Sequence, residues 1–295
     1  MFARQGRLPF RAVDFNWKSM KPHPRYFASV LFLAGASLLH AQAPATAPAS
    51  TPALPAPPDW SLPGSATHKQ VAPPADFHRP STTIPGAIGL FEGQSDVGSA
   101  LVPGSASHDA TAGTYTISSA GYNVWYTRDE FRYLWKKMSG DISLAADISY
   151  PDPTGYGDRK AVLVIRQNLE DDAKSVVVAV HGLGMIHLAD RPEKGVRMRD
   201  LEFRIGGRGS RPGGASPDSL VNVTARRIGL EKRGDSFALF VSLEGEPMTQ
   251  YGPPIKVPFA EPFYVGIGFC SHLPVTVDTA VLSRVVLENS SGKVR

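Results

Sequence analysis

The side chains of this chain that could do chemistry are few and widely spread. Its densest acidic cluster, Glu170, Asp171 and Asp172 in QNLEDDAKS, lies among turn-forming residues. Carboxylates are hard oxygen donors, so calcium is the one cofactor such a group would take. Solvated turn residues are the simpler reading, and no other cofactor is expected. Glycosidic hydrolysis needs two carboxylates facing each other across a cleft, and no strand-like run carries acids in a Glu-x-Asp-x-x-Glu pattern. No serine sits in a Gly-x-Ser-x-Gly elbow. His181 and His187 stand six apart across HGLGMIH with no third ligand close by in sequence, which is too sparse for zinc. Cys270 is the single cysteine, so an internal disulfide is excluded. Its apolar, alternating surroundings, YVGIGFCSH, predict a buried structural thiol. Neither a catalytic residue nor a metal site is expected.

What remains is a concentration of rings and charges, YNVWYTRDEFRYLWKKMSGD, from Tyr122 to Asp141. It could form a sugar platform, a nucleic-acid surface or part of a core. Phe131, Leu134, Trp135 and Met138 fit a helical stripe, while Phe131, Tyr133 and Trp135 fit one face of a strand.

The elements that must position these residues begin after a long N-terminal region of different texture. Residues 1–41 read as an export signal: Lys18, Lys21 and Arg25 precede the apolar run YFASVLFLAGASLL, and small residues follow. That run falls short of the ~20 apolar residues a spanning helix needs, so no stable membrane span is expected after cleavage. Translation from Met20 would give a tidier signal. Residues 42–87 read as a disordered Ala/Pro-rich linker, because APATAPASTPALPAPP cannot bury enough apolar surface to offset its ordering entropy. Trp60 within it reads as an incidental loop aromatic.

Charge follows the same division. Six basic residues and one acid lie in 1–41, so of 31 basic and 27 acidic residues the mature chain keeps 25 and 26, about −1 net. The basic isoelectric point belongs to the signal. Without a net positive field there is little to drive phosphate neutralisation, and nucleic-acid binding is not expected. A secreted or periplasmic location is expected.

Residues 88–291 change to short alternating runs bounded by Gly, Pro, Asp and Asn. Strands are predicted at GTYTISS, DEFRYLWKKM, DISLAADISY, KAVLVIRQ, KSVVVAVHG, MIHLAD, LEFRI, VNVTARRIGLEKR, SFALFVSLEG, PFYVGIGFC and TAVLSRVVLEN. No amphipathic helix longer than two turns interrupts them. That pattern predicts an all-β jelly-roll sandwich of antiparallel sheets. Arg233 to Asp235 reads as a hairpin turn, with Gly234 free to take positive φ. Gly206 to Ser219 reads as a long flexible loop, and the sequons at Asn222 and Asn289 carry no weight in an exported bacterial chain.

The blocks FEGQSDVG, PGSASHDATAGTYTISSAGYNVWYTRDEFRYLWKKMSGDISLAADI, RKAVLVIRQNLEDDAKSVVVAVHG, LEKRGDSFALFVSLEGE and EPFYVGIGFCSH resemble the concanavalin A-like lectin/glucanase superfamily. Within it they are similar to the bacterial branch labelled "regulation of enolase protein 1". The resemblance spans about residues 88–290 and implies a two-sheet jelly roll. Where that branch has His-Gly-Asp-Gly, this chain has HGLG, with Leu183 in place of the acid.

Strand alternation then nominates a binding face. If Ala161, Leu163 and Ile165 point inward, Arg166 points outward with Val162 and Val164. By the same rule His181 shares a face with Ala179, and His187 with Ala189 and Arg191. Trp125 and Tyr126 near a strand start would supply a stacking ring. Candidate carbohydrate-binding residues are therefore Trp125, Tyr126, Arg166, His181, His187 and Arg191, while Phe131, Tyr133 and Trp135 are expected in the core. The expected function is a non-catalytic module binding carbohydrate or envelope glycan. A glycan-active enzyme with an atypical site, or a protein-interaction scaffold, are the alternatives.

Overall fold

The computed structural model describes residues 79–204 and 225–294. The expected signal, Trp60, the Gly206–Ser219 stretch, Asn222 and most of the expected linker lie outside them. The described residues contain no helix. The strands are β1 (Thr82–Ile88), β2 (Phe91–Val97), β3 (Ser105–Asp109), β4 (Thr114–Ser119), β5 (Val124–Trp125), β6 (Arg128–Asp129), β7 (Phe131–Met138), β8 (Ile142–Ser149) and β9 (Lys160–Arg166). They continue as β10 (Ser175–His181), β11 (Met185–Arg191), β12 (Arg199–Arg204), β13 (Arg227–Arg233), β14 (Ser236–Ser242), β15 (Thr249–Gln250), β16 (Ile255–Lys256), β17 (Phe263–Cys270) and β18 (Asp278–Glu288).

Two antiparallel sheets form the sandwich. The first runs β1-β2-β7-β17-β9-β10-β11-β12, and the second β15-β14-β13-β8-β18-β4-β3, with β16 also paired to β14. The fold is an all-β jelly roll of two antiparallel sheets. The core between them takes every second residue of each strand. Leu134, Leu163, Val178 and Ile186 from the first sheet meet Leu144, Leu230, Phe237 and Leu282 from the second. Burying one such side chain contributes about 1.5–3 kcal/mol, so this layer is the main source of stability in a chain without disulfides.

The other face of the first sheet is also buried. Phe131 and Tyr133 of β7, Val162 and Val164 of β9, Val177 and Ala179 of β10, and Ala189 of β11 form a second apolar cluster. Val124 and Met198 close over it, so segments of this chain lie where a simple sandwich would present its sheet to water. Alternation in β9, β10 and β11 is therefore as the sequence implied, with Arg166, His181 and His187 on the outer face. That face is roofed.

Several expectations are corrected. The sheet begins at Thr82, inside the segment expected as linker, and β1 pairs Thr82 with Asp96 and Pro85 with Gly93. β1, β2 and β3 escape a hydrophobicity reading for physical reasons. β1 is largely exposed and carries Pro85 and Gly86, β2 buries polar Ser95 and Asp96, and β3 has only alanine among its apolar residues. Trp135 is half-buried and packs on the outer face rather than in the inter-sheet core. The strand predicted from Asp129 starts at Phe131 instead, and Val124 to Asp129 fold into the short β5–β6 ribbon that roofs the sheet. The hairpin at Gly234 and Asp235 is as expected: Arg233 pairs with Ser236 and Gly234 has φ +53°. Cys270 is free and buried.

Candidate functional site

The outer face carries two polar rungs separated by an apolar strip. At one end Ser175 of β10 pairs with Arg166 of β9 and with Arg191 of β11, which sets the two arginines on either side of a small buried residue. At the other end Lys160 of β9 pairs with Cys270 of β17 and His181 of β10. His187 lies one strand further along, opposite Ala179. Two glycines of β17 let rings cross between the rungs. The Tyr133 ring reaches from β7 across Gly266 and Gly268 so that its hydroxyl donates to Val164 O at 3.1 Å.

The β5–β6 ribbon is fastened over this face at many points. Glu130 N donates to Asn123 O at 2.7 Å and Asp129 N to Asp171 O at 2.8 Å. Met198 N donates to Tyr126 O at 2.8 Å, and Lys160 Nζ to Asn123 Oδ1 at 2.5 Å. Trp125 pairs with Arg128, leaving Tyr126 and Thr127 as the turn, and Tyr126 takes the left-handed conformation at φ +48°. That conformation is uncommon for a bulky residue and persists only where surrounding bonds hold it.

Three of the six candidates meet. Trp125 stands edge-on to His187 at 4.9 Å between ring centroids, and His187 lies 4.7 Å from His181. Lys160 Nζ lies 5.6 Å from the Trp125 ring centre, and burial pulls its pKa down, opposed by Cys270, Asp158 and Asp129. Each imidazole also faces a carboxylate. His181 Nδ1 is 3.5 Å from Asp158 Oδ1, and His187 Nδ1 is 3.9 Å from Asp200 Oδ2. The histidines are buried, whereas the Asp158 and Asp200 side chains are 29% and 33% exposed, so the cluster opens to solvent through its carboxylates and Trp125. Partial burial raises the Asp200 pKa, with Arg197 pulling the other way.

The other candidates lie elsewhere. Tyr126 is buried, with the Arg197 guanidinium 4.9 Å from its ring centre. Arg166 and Arg191 are wholly buried and both pair with Asp129, whose side chain is also unexposed. Burial depresses the Arg166 pKa, and Asp129 opposes that.

Asp129, Asn123, Lys160, Asp158 and Asp200 were not singled out by sequence reasoning. Lys160 was within reach: it lies an even number of residues from Arg166, so alternation puts both on one face. Asp158 and Asp200 come from a loop and an edge strand, and only the strand order brings them to the histidines. Glu170, Asp171 and Asp172 form a turn in which Glu170 pairs with Lys194 at 2.6 Å and Asp171 accepts from Arg79 N at 3.3 Å. Among the described residues no group of three or more His, Cys, Asp or Glu side chains is arranged to hold a metal ion, and no helix is long and apolar enough to cross a membrane. Cys270 is pushed up to about 11 by burial, partly offset by Lys160, which keeps it a thiol at neutral pH.

No protein-family model matches this chain, and no curated protein matches it. Solved structures do. A functionally unknown protein from Saccharomyces cerevisiae is 13% identical, with 64% of this chain and 93% of that one covered and a TM-score of 0.45. Carbohydrate-binding module CBM66 from Bacillus subtilis is 14% identical, with 72% and 96% covered and a TM-score of 0.39. An alginate lyase from Klebsiella pneumoniae is 12% identical, with 64% and 84% covered and a TM-score of 0.40. Binding modules, lectins and glycan-active enzymes all occur among the similar structures, and none of their activities is carried across to this chain.

Proposed function

We propose that this chain is an exported, non-catalytic module that binds a carbohydrate or envelope glycan at the open end of the outer face. The observation that carries the reading is the surroundings of Trp125. A half-buried indole is fixed against His187, in one cluster with two partly exposed carboxylates. Sugars present apolar C–H faces and rings of hydroxyls, so an indole suits the face and carboxylates accept from the hydroxyls. The sequence blocks support placement in the bacterial branch named above, and the N-terminal signal pattern supports a secreted or periplasmic location.

Glycan cleavage is the second reading, favoured by one observation. Two carboxylate–imidazole pairs meet ring to ring, and such pairs are what general acid–base chemistry uses. A glycan array probed with the protein, its Trp125→Ala variant and its Asp158→Asn/Asp200→Asn variant tests the first reading. Retention of a glycan by the parent protein and its loss from both folded variants is the expected result. An array without a hit, or variants that bind as well as the parent, overturns the reading. Release of reducing ends or unsaturated products from a bound glycan, abolished by Asp158→Asn, establishes the second instead.

A further inference from the structure

The buried charges on the outer face stand apart from the glycan site, yet they touch the segment that carries its ring. We infer that Arg191 is a positioning residue for Trp125: it ties the backbone of the Trp125–Tyr126 turn to the buried Asp129 carboxylate. This rests on the binding reading only in taking Trp125 as the platform for a ligand.

Asp129 accepts from both arginines, but the arginines do different work. Arg191 Nη1 and Nη2 reach Asp129 Oδ2 and Oδ1, each at 2.8 Å, and Nη1 also donates to Ala173 O at 3.0 Å. Its Nη2 additionally faces Trp125 O at 3.4 Å and Tyr126 O at 3.3 Å. Arg166 Nη1 reaches Asp129 Oδ2 at 3.2 Å, while its remaining donors go to the 168–170 turn, Nε to Asn168 O at 2.8 Å and Nη2 to Glu170 O. All three side chains are fully buried. A guanidinium offers five donors in a rigid fork, which is what lets one side chain grip a carboxylate and three carbonyls together. That grip adds to the bond from Met198 N at 2.8 Å in holding Tyr126, whose left-handed backbone is held by bonds from outside the turn.

The two arginines therefore form an internal control. Lysine at either position keeps a cation beside Asp129 but loses the fork. The experiment is ¹⁹F NMR of the full chain labelled with 5-fluorotryptophan, with Trp125 and Trp135 assigned by Trp→Phe variants. In Arg191→Lys the Trp125 resonance should shift or broaden while Trp135 stays in place. In Arg166→Lys both should stay. Thermal melts of the two variants show how much stability each has lost, which a purely structural role would make comparable. Should either lysine variant fail to fold, Arg191→Met and Arg166→Met replace them, because removing one cation from two arginines and one aspartate leaves a neutral pair. An unmoved Trp125 signal in the Arg191 variant, or an equal change in the Arg166 variant, overturns the inference. The spectrum is recorded without ligand, so this failure is distinct from a failure to bind glycan.

Discussion

Asp129 and Arg191 meet as a two-point fork, Nη1 to Oδ2 and Nη2 to Oδ1 at 2.8 Å each, with neither side chain exposed to solvent. Two parallel charge-assisted bonds fix orientation as well as distance. Desolvating these charges offsets much of their attraction, so the net contribution of the group to stability is small while it is intact. Breaking it is another matter. Asp129→Ala leaves two guanidinium groups buried without their anion and should lose about 3–5 kcal/mol in urea unfolding. A loss below about 1 kcal/mol would mean that water reaches the arginines and that the face is not sealed.

Trp125 and Trp135 are both half-buried, but they are held differently. The Trp135 ring lies over Gly93, stands edge-on to Tyr264 at 5.1 Å between centroids, and donates from Nε1 to Ser95 Oγ at 2.9 Å. Trp135→Ala should cost about 3 kcal/mol, at the low end for a large aromatic because the ring is not fully enclosed. Trp125→Ala should cost less than half as much, about 1 kcal/mol, while removing glycan binding. Melting curves of the two variants give the comparison. Equal losses would make Trp125 a structural ring.

Glu130 is buried where the ribbon meets Arg79. It accepts from Tyr122 N at 3.1 Å and stands 3.5 Å from Arg79 Nη1. Burial raises its pKa to about 7, opposed by Arg79 and by the bond from Tyr122. A carboxyl that is harder to ionise folded than unfolded makes the native state bind more protons, so stability falls as pH rises. The loss sets in above the ordinary value near 4.5 and is complete above about 7, amounting to about 3 kcal/mol. Glu130→Gln can still accept from Tyr122 N and carries no charge. Its stability should change less between pH 5 and pH 8 than the parent's, leaving it about 2 kcal/mol ahead at pH 8. Parallel pH profiles would sink this assignment.

Calcium gives a direct test of the acidic turn. Glu170 is engaged with Lys194, and Asp171 with Arg79 N. A cation would have to displace these partners, so neither EDTA nor millimolar calcium should move the melting temperature. A bound ion at a hundredfold excess over its dissociation constant would add about 2.7 kcal/mol, a shift that a melt would detect.

Much of this was legible in the sequence because strand alternation is a local property. Val162, Val164 and Arg166 lie on one face, and His187, Ala189 and Arg191 on another stretch of it, as period-two counting requires. Whether that face met water was not legible. The roof is the β5–β6 ribbon, whose residues Tyr122 to Glu130 alternate too briefly to signal any element, and its anchor, Asp129, is a lone acid in a charged run. Asp158 and Asp200 reach the histidines only through strand order, which is set by long-range pairing that no window of sequence contains.

Gly266 offers the sharpest test of how the outer face is built. Its φ is not in the left-handed region, so the need for glycine here comes from proximity rather than from backbone freedom. A methyl added at this position would lie 1.8 Å from Leu134 O and 3.0 Å from Trp135 Cα, both backbone atoms of β7 that cannot swing aside. Gly113 is the opposite case, a turn glycine at φ +64° with nothing within 4 Å of an added methyl. Alanine at Gly113 should cost about 1 kcal/mol from its left-handed backbone alone. Alanine at Gly266 must push β7 and β17 apart, moving Tyr133 and Trp135 with the backbone, and should cost about 3 kcal/mol or more. Denaturant unfolding of the two variants separates steric closeness from conformational strain. If Gly266→Ala proves as mild as Gly113→Ala, the β7–β17 pairing is loose enough to admit a methyl, and the support beneath the Tyr133 ring must come from elsewhere.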